Sequence, residues 1–318
     1  MKNDRYHEIN DQELSSLLEL AWSESRARHG WSLTAYLPGM FVVDGRRGKY
    51  RAVSITGDKC DLDCGHCKGT LLKSMEHALD PSDLKRLAQA AVARGDHGIL
   101  VTGGCDQEGR LPWEQFIPTI RELKAQTDLK ITVHSGQLDV RTARALKEAG
   151  VDQALLDVLG DDDTARDVCH LPHGSASIRR TLDSLNEAGL EVVPHIIFGI
   201  HYGRQHGETA ALEMLKQYPL NKYVVVVIVP TRGTEMAGIE PPPPEQVASF
   251  IALARLEIPG AKASLGCARP RGPYRKKLDV LAVKAGINSI ALPSTEALEE
   301  AKNKGLEITY EETCCSLG

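Results

Sequence analysis

The chain has 318 residues, 42% of them apolar, enough to bury a sizeable core as one large barrel or as two smaller domains. Its formal net charge of -5, with Lys/Arg and Asp/Glu intermixed, leaves no basic face, so a nucleic-acid partner has no electrostatic support. No apolar run approaches the roughly 18 residues of a membrane span, and the polar start Met1 to Tyr6 lacks the apolar core of a secretion signal, so a cytoplasmic protein without a membrane partner is expected.

Residues 11–29 read as an outer helix, with Leu14, Leu17, Leu18 and Ala21 recurring on one face. Beyond it, short apolar runs alternate with amphipathic segments, the rhythm of an α/β fold with a parallel sheet. The strands are expected at 52–56, 98–102, 130–134, 153–157, 191–197, 223–229, 261–265 and 289–292. The helices fall between and after them, at 81–94, 113–127, 140–149, 176–188, 208–217, 245–254, 275–285 and 294–304. Asp80 ahead of Pro81 is a start signal, and Gly95, Gly150, Gly189, Gly286 and Gly305 stand where left-handed C-terminal caps belong. Pro241 to Pro244 is a stiff connector, and no repeat shows beyond the βα rhythm. The expected fold is a full or nearly closed parallel (β/α) TIM-type barrel over 49–305, with an N-terminal helical extension over 1–48 and a C-terminal tail, 306–318, over the barrel mouth.

In such a barrel the loops after the strands build the active site. After the first strand stand Cys60, Cys64 and Cys67, spaced C-x3-C-x2-C. Three thiolates on one short loop hold three irons of a cubane cluster and leave the fourth iron open. Zinc is the alternative, but a closed zinc site wants four ligands, usually in two short pairs, and no second pair follows. Gly103, Gly104 and Cys105 follow the second strand, Asp157 ends the fourth, and residues 199–203, 230–232 and 266–269 follow the fifth, sixth and seventh. All of these fall on one rim. Eight cysteines in a reducing compartment argue against a disulfide framework and for metal chemistry, with Cys169 the best candidate for a plain core position. The run Asp161 to Asp163 fits a helix start better than a metal site.

With this loop in this rhythm, the chain resembles the radical S-adenosylmethionine superfamily. The resemblance implies a 4Fe-4S cluster on Cys60, Cys64 and Cys67 whose open iron chelates S-adenosyl-L-methionine, and one-electron cleavage of that cofactor to methionine and a 5'-deoxyadenosyl radical. It also implies that Gly103 and Gly104 let bare backbone approach the methionine moiety, that Gly199, His201 and Tyr202 line the adenine, and that His134, Gln137 and Asp157 contact ribose and carboxylate. The chain departs from the pattern at His66, where an aromatic residue is usual, and at Cys105, where a Glu often stands.

Cys105 and Cys267 lie on the same rim, and a tail carrying Cys314 and Cys315 folds back towards it, so a second, auxiliary 4Fe-4S cluster is expected. Adjacent cysteines rarely both ligate one site, so either Cys314 or Cys315 is the ligand and its neighbour a spare thiol, or Ser316 or Arg269 completes the coordination. A flexible tail with unused thiols is the bland alternative, and exposed thiols are an oxidative liability. Segments 37–41, 54–60, 265–270 and the Cys-Cys tail resemble two-component lipoyl synthases, in a biotin-synthase-like layout, although the N-terminal C-x4-C-x5-C and C-terminal Arg-Ser-Ser-Tyr of single-component lipoyl synthases do not occur here. That likeness implies sulfur insertion into an octanoyl chain, with Cys267 essential and the auxiliary cluster as sulfur donor. The substrate would be carried by the glycine-cleavage H-protein or a 2-oxoacid dehydrogenase acyltransferase subunit. A second lipoyl synthase component and an electron donor such as ferredoxin or flavodoxin would complete the system. Tyr36, Leu37, Met40 and Phe41 offer an apolar way in for the chain. The rivals are another radical reaction (methylation, rearrangement or hydrogenase-cofactor maturation) and a non-catalytic iron-sulfur protein.

Overall fold

The computed structural model describes residues 10–43 and 45–318; residues 1–9 of the expected extension lie outside them. Thirteen strands form among the described residues: β1 (Ser32–Tyr36), β2 (Val42–Val43), β3 (Arg46–Arg47), β4 (Tyr50–Ser54), β5 (Glu76–His77), β6 (Gly98–Thr102), β7 (Lys130–His134), β8 (Gln153–Asp157), β9 (Val192–Phe198), β10 (Lys222–Val227), β11 (Lys262–Leu265), β12 (Ser289–Ala291) and β13 (Glu307–Glu311). The helices are α1 (Asp11–His29), α2 (Pro81–Arg94), α3 (Trp113–Gln126), α4 (Val140–Glu148), α5 (Gly174–Glu187), α6 (Glu208–Leu215), α7 (Pro244–Glu257), α8 (Pro273–Lys284) and α9 (Thr295–Asn303). All eight expected strands are present, to within a few residues.

Eleven strands make one sheet, in the order β13-β1-β12-β11-β10-β9-β8-β7-β6-β4-β5, with every pairing parallel. The sheet curls into a nearly closed barrel with the helices outside. Its two ends are tied: Lys49 N donates to Glu312 O at 2.6 Å, and Arg46 and Lys49 pair with the Glu312 carboxylate at 2.7 and 2.9 Å. The sheet reaches beyond 49–305 on both sides, because Ser32–Tyr36 and Glu307–Glu311 pair with each other at one end of it. Neither segment carries a long apolar run.

The alternation of strand side chains divides the interior in two. On β10, Tyr223, Val225 and Val227 face the helices and join the large core, whereas Val224 and Val226 face inward. β-branched residues buried on both faces are what a parallel barrel strand needs. The inward cluster is small: Tyr36, Val193, Val224, Val226 and Ala291 surround Cys315. The tail, expected over the mouth, instead enters the lumen. Lys222, the first residue of β10, donates from Nζ to the carbonyls of Cys315 and Leu317, so the tail runs down to the amino ends of the strands. Ser264 Oγ on β11 also donates to Cys315 O, at 3.3 Å.

Local signals hold the helices in place. Asp80 accepts from Asp83 N at 3.0 Å with Pro81 at the first helical position. Gly95, Gly150, Gly189, Gly286 and Gly305 all adopt positive φ after their helices. At Gly286 the need is steric as well: a Cβ there would meet Ser25 Cβ at 2.7 Å and Ala21 O at 3.0 Å, where α1 packs onto the barrel's outer layer.

Candidate active site at the carboxyl ends of the strands

The loop after β4 carries Cys60, Cys64 and Cys67 and is fixed across the barrel top by its own backbone. Asp61 N donates to Cys105 O at 2.7 Å and Gly65 N to Val168 O at 2.8 Å, tying it to the loops after β6 and β8. Asp63 and Lys68 take left-handed conformations, at φ 45° and 43°, which turns the chain around Cys64 and Cys67. Cys64 is buried and the other two are half-buried.

Each loop thiol sits among others. Burial drives the Cys67 thiol up to about 12, with Cys64 and Cys60 adding to the rise. Burial likewise raises Cys105, helped by Cys60 and Cys64. Cys67 and Cys105 thus resist ionisation as free thiols, a cost that a cation accepting their thiolates relieves. Cys169 is a core residue with a further contact: its thiol holds the Cys64 thiol below its ordinary value, and Cys64, His66 and Cys169 place ligand atoms within 4.8 Å of one another.

Beside the loop, Gly103 and Gly104 form a cradle that a side chain would fill. A Cβ on Gly104 would meet Lys59 O at 1.9 Å and Cys60 Cβ at 2.5 Å, and one on Gly103 would meet Thr56 Oγ1 at 2.9 Å. Thr56 Oγ1 accepts from Gly104 N at 2.6 Å and donates to Lys59 O at 3.1 Å, so a single hydroxyl joins the cysteine loop to the glycine turn. The donor set and the cradle together fit a 4Fe-4S cluster with a ligand lying against the glycines.

Below the loop, inside the barrel, stand His134, Asp157 and His195. His134 Nε2 lies 3.5 Å from Asp157 Oδ1, and the His134 and His195 rings are 6.2 Å apart. Burial alone would raise the Asp157 carboxyl, but His134, then His195 and His66, outweigh it and hold it at about 2. Burial lowers His134 less than Asp157 raises it, so that imidazole moves up; burial dominates at His195 and takes it down to about 4. Gln137 is turned away and accepts from Thr181 Oγ1 at 2.8 Å.

The turn after β9 is held by Glu208, whose buried carboxylate accepts from Gly199 N at 2.7 Å and His206 N at 2.8 Å. Gly199 has φ 79°, and a Cβ there would meet Pro242 Cγ at 2.4 Å. Tyr202 is exposed at this turn. The structure does not bring His201 to the cysteine loop: its ring stacks on His206 with centroids 4.2 Å apart, and its Nδ1 meets Thr164 Oγ1 at 3.1 Å.

A second thiol set lies deeper. Cys267, after β11, and Cys314 pack against the inward cluster with Cys315. Cys315 stands between the other two: as their neighbour it pulls both below the ordinary thiol value, while its own rises. Ser316 Oγ donates to Cys314 Sγ at 3.2 Å. Cys105 is not part of this set, being grouped with the first loop. Arg269 is committed elsewhere, because its fully buried guanidinium pairs with Asp279 at 2.7 and 3.0 Å and with Gly266 O at 2.6 Å. These three thiols and the Ser316 hydroxyl supply a donor set that fits a second iron-sulfur cluster.

Thr56, Glu208 and His195 did not stand out from the sequence. His195 was within reach, because alternation along β9 sets it on the same face as Val193 and Ile197.

The sequence profile described as the Radical SAM superfamily matches residues 54–216, just over half of the chain. A biotin synthase of Leptothrix cholodnii is 28% identical over 249 residues, covering 75% of this chain and 69% of its own length. One from Leptospira interrogans is 24% identical over 223 residues, 68% of this chain and 62% of its own. Among solved structures, methylornithine synthase (PylB) superposes with a TM-score of 0.64 at 15% identity, over 96% of this chain and 91% of that one. The FeFe-hydrogenase maturase HydG from Carboxydothermus hydrogenoformans gives 0.64 at 13% identity, over 96% and 74%. At such identities the last two are likenesses of fold alone. No described helix is long and apolar enough to cross a membrane.

Proposed function

The chain belongs to the radical SAM superfamily, and on that premise we propose that it is a sulfur-insertion enzyme, a lipoyl synthase component acting on an octanoyl chain carried by a partner protein. The family implies a 4Fe-4S cluster and S-adenosylmethionine, which together supply an organic radical able to take hydrogen from an unactivated carbon. Cys60, Cys64 and Cys67 hold that cluster in this reading, and Gly103 and Gly104 admit the methionine end of the cofactor. His134 and Asp157 offer an imidazole and a carboxylate to its polar groups from inside the barrel. Glu208 holds the turn after β9, which in this reading would line the adenine.

The observation that carries the sulfur-insertion reading is the path of the tail. Cys314 and Cys315 are not left on the surface but are drawn into the lumen beside Cys267. Cys267, Cys314 and Cys315, with the Ser316 hydroxyl, would hold a second cluster as sulfur source on the far side of the lumen from the first loop, with the reacting carbon between. The relationship to biotin synthases supports sulfur chemistry, and the Cys-Cys tail supports the lipoyl branch. One observation favours a different substrate: His134, Asp157 and His195 make part of the lumen polar, which suits a small polar molecule in a rearrangement or maturation reaction.

An anaerobic assay separates these readings. The enzyme, a reductant, S-adenosylmethionine and octanoylated H-protein are incubated with and without a candidate second component, and the carrier is weighed by mass spectrometry. Gain of sulfur on the carrier is expected. Deoxyadenosine formed in the complete mixture with no sulfur gained would overturn the lipoyl reading and leave the family chemistry standing.

A further inference from the structure

Away from both thiol sets, the loop after β8 and the loop after β9 meet at Asp161, His201 and His206. One ligand atom from each of these three lies within 4.8 Å of the others. The contacts among them are incomplete in a particular way. Asp161 Oδ1 accepts from Thr164 N at 2.7 Å, the capping role expected of this acidic run, but Asp161 Oδ2 is buried and no donor among the described residues reaches it. His206 Nε2 stands 3.5 Å from Asp161 Oδ1 and 3.5 Å from Asp163 Oδ2, beyond good hydrogen-bond distance. A buried carboxylate oxygen with no partner is unfavourable, and a cation would satisfy it. Burial, then His206, lower the His201 imidazole against the pull of Asp161, Asp163 and Asp167.

The geometry points to a divalent-cation site here, of the zinc class, held by Asp161 Oδ2, His201 Nε2 and His206 Nε2, with water or Asp163 as a fourth ligand. The chemistry of the donors is right: imidazole and carboxylate suit zinc, and three protein ligands plus one more complete a tetrahedron. Thr164 offers the support such sites use, since its Oγ1 lies 3.1 Å from His201 Nδ1 and can accept that N–H, the tautomer that frees Nε2 for a cation. Gly207 makes room, because a Cβ there would stand 1.8 Å from Asp161 Oδ2. Bonds of about 2.0 Å would bring the ligand atoms to about 3.3 Å apart, a closure from their present separation of within 4.8 Å. The cation would staple the two loops together and so fix the turn that Glu208 organises from the other side.

The test uses the anaerobically reconstituted protein, freed of loose metal on a chelating resin and titrated with Co2+. One cobalt per chain beyond the iron is expected, with ligand-field bands and no sulfur-to-cobalt charge transfer. His206→Ala and Asp161→Asn are each expected to weaken that binding at least about 10-fold, and Thr164→Val about 10-fold with the same spectrum, the scale of losing a supporting partner. Iron content and circular dichroism report whether each variant has kept its fold; should Asp161→Asn lose it, His206→Ala, at an exposed position, decides alone. Absence of an extra cobalt, a sulfur charge-transfer spectrum, or undiminished binding by His206→Ala would overturn the site.

Discussion

Cysteines in this chain differ by the company their loop gives them. Cys64 is buried beside Cys169 and His66 at the end of a loop that two left-handed residues bend around it. Cys64→Ala removes one of three loop thiols and is expected to abolish deoxyadenosine formation from S-adenosylmethionine under anaerobic reduction, measured by chromatography; formation at the parent rate would show that this loop does not hold the reactive cluster. Arg269 makes a different point. Its side chain and that of Asp279 are both 0% exposed, so truncating one leaves the other as a buried, unpaired charge. Asp279→Ala is expected to destabilise the fold by about 3–5 kcal/mol, read as a drop in urea midpoint; a loss within the error of the midpoint would mean that the pair contributes nothing. The rim near Cys267 depends on this pair, because Arg269 also binds Gly266 O.

At the scale of elements, β7, β8 and α3 are joined at Asp152, which accepts from Lys124 Nζ and Ile131 N, both at 2.8 Å, and pairs with Lys130 at 3.3 Å. Burial raises this carboxyl, but Lys124 and the Ile131 amide outweigh it, so its folded pKa lies below the unfolded one. A depressed carboxylate contributes fully above its unfolded value of about 4 and loses that contribution as the pH falls through the folded value. Asp152→Asn should therefore cost stability at pH 7 and progressively less below pH about 4, checked by urea unfolding across pH. A cost that stays constant with pH would assign the effect to packing.

The elements also set what the sequence could disclose. Strands such as β6, β7 and β8 are compact apolar runs between turn signals and were legible to the residue. β1 and β13 were not, because Ser32–Tyr36 mixes polar and apolar residues and Glu307–Glu311 is an edge strand with mostly exposed side chains, stabilised by its neighbour rather than by its own burial. Hairpin β2–β3 pairs only two residues a side and carries no signal of its own. The rim residues were legible because strand ends locate them. The tail's route was not, since it depends on Lys222 and Ser264, 93 and 51 positions away from Cys315 in the chain. For the same reason Cys105 looked like a partner of Cys267 from its place on the rim, whereas the loop after β6 sets it beside Cys60.

For the whole molecule, one curled parallel sheet carries thiols at two depths. Cys60, Cys64 and Cys67 stand on a loop across the top, and Cys267, Cys314 and Cys315 stand within the lumen. The barrel joins them with a lumen lined by His134, Asp157 and His195 and by Tyr36, Val193, Val224 and Val226. A tail only lying on the surface would leave the residues around Cys315 facing a hole, and its deletion would cost nothing. Threaded through, it contributes to the core and brings its cysteines to Cys267.

The most direct measurement is iron and sulfide counting with Mössbauer spectra, made anaerobically on the parent and on Cys267→Ser. About eight irons per chain are expected in the parent and about four in the variant, and in both the retained cluster should change its spectrum when S-adenosylmethionine is added. A parent with about four irons, or a variant that keeps the full complement, would contradict two separate cluster sites in this barrel.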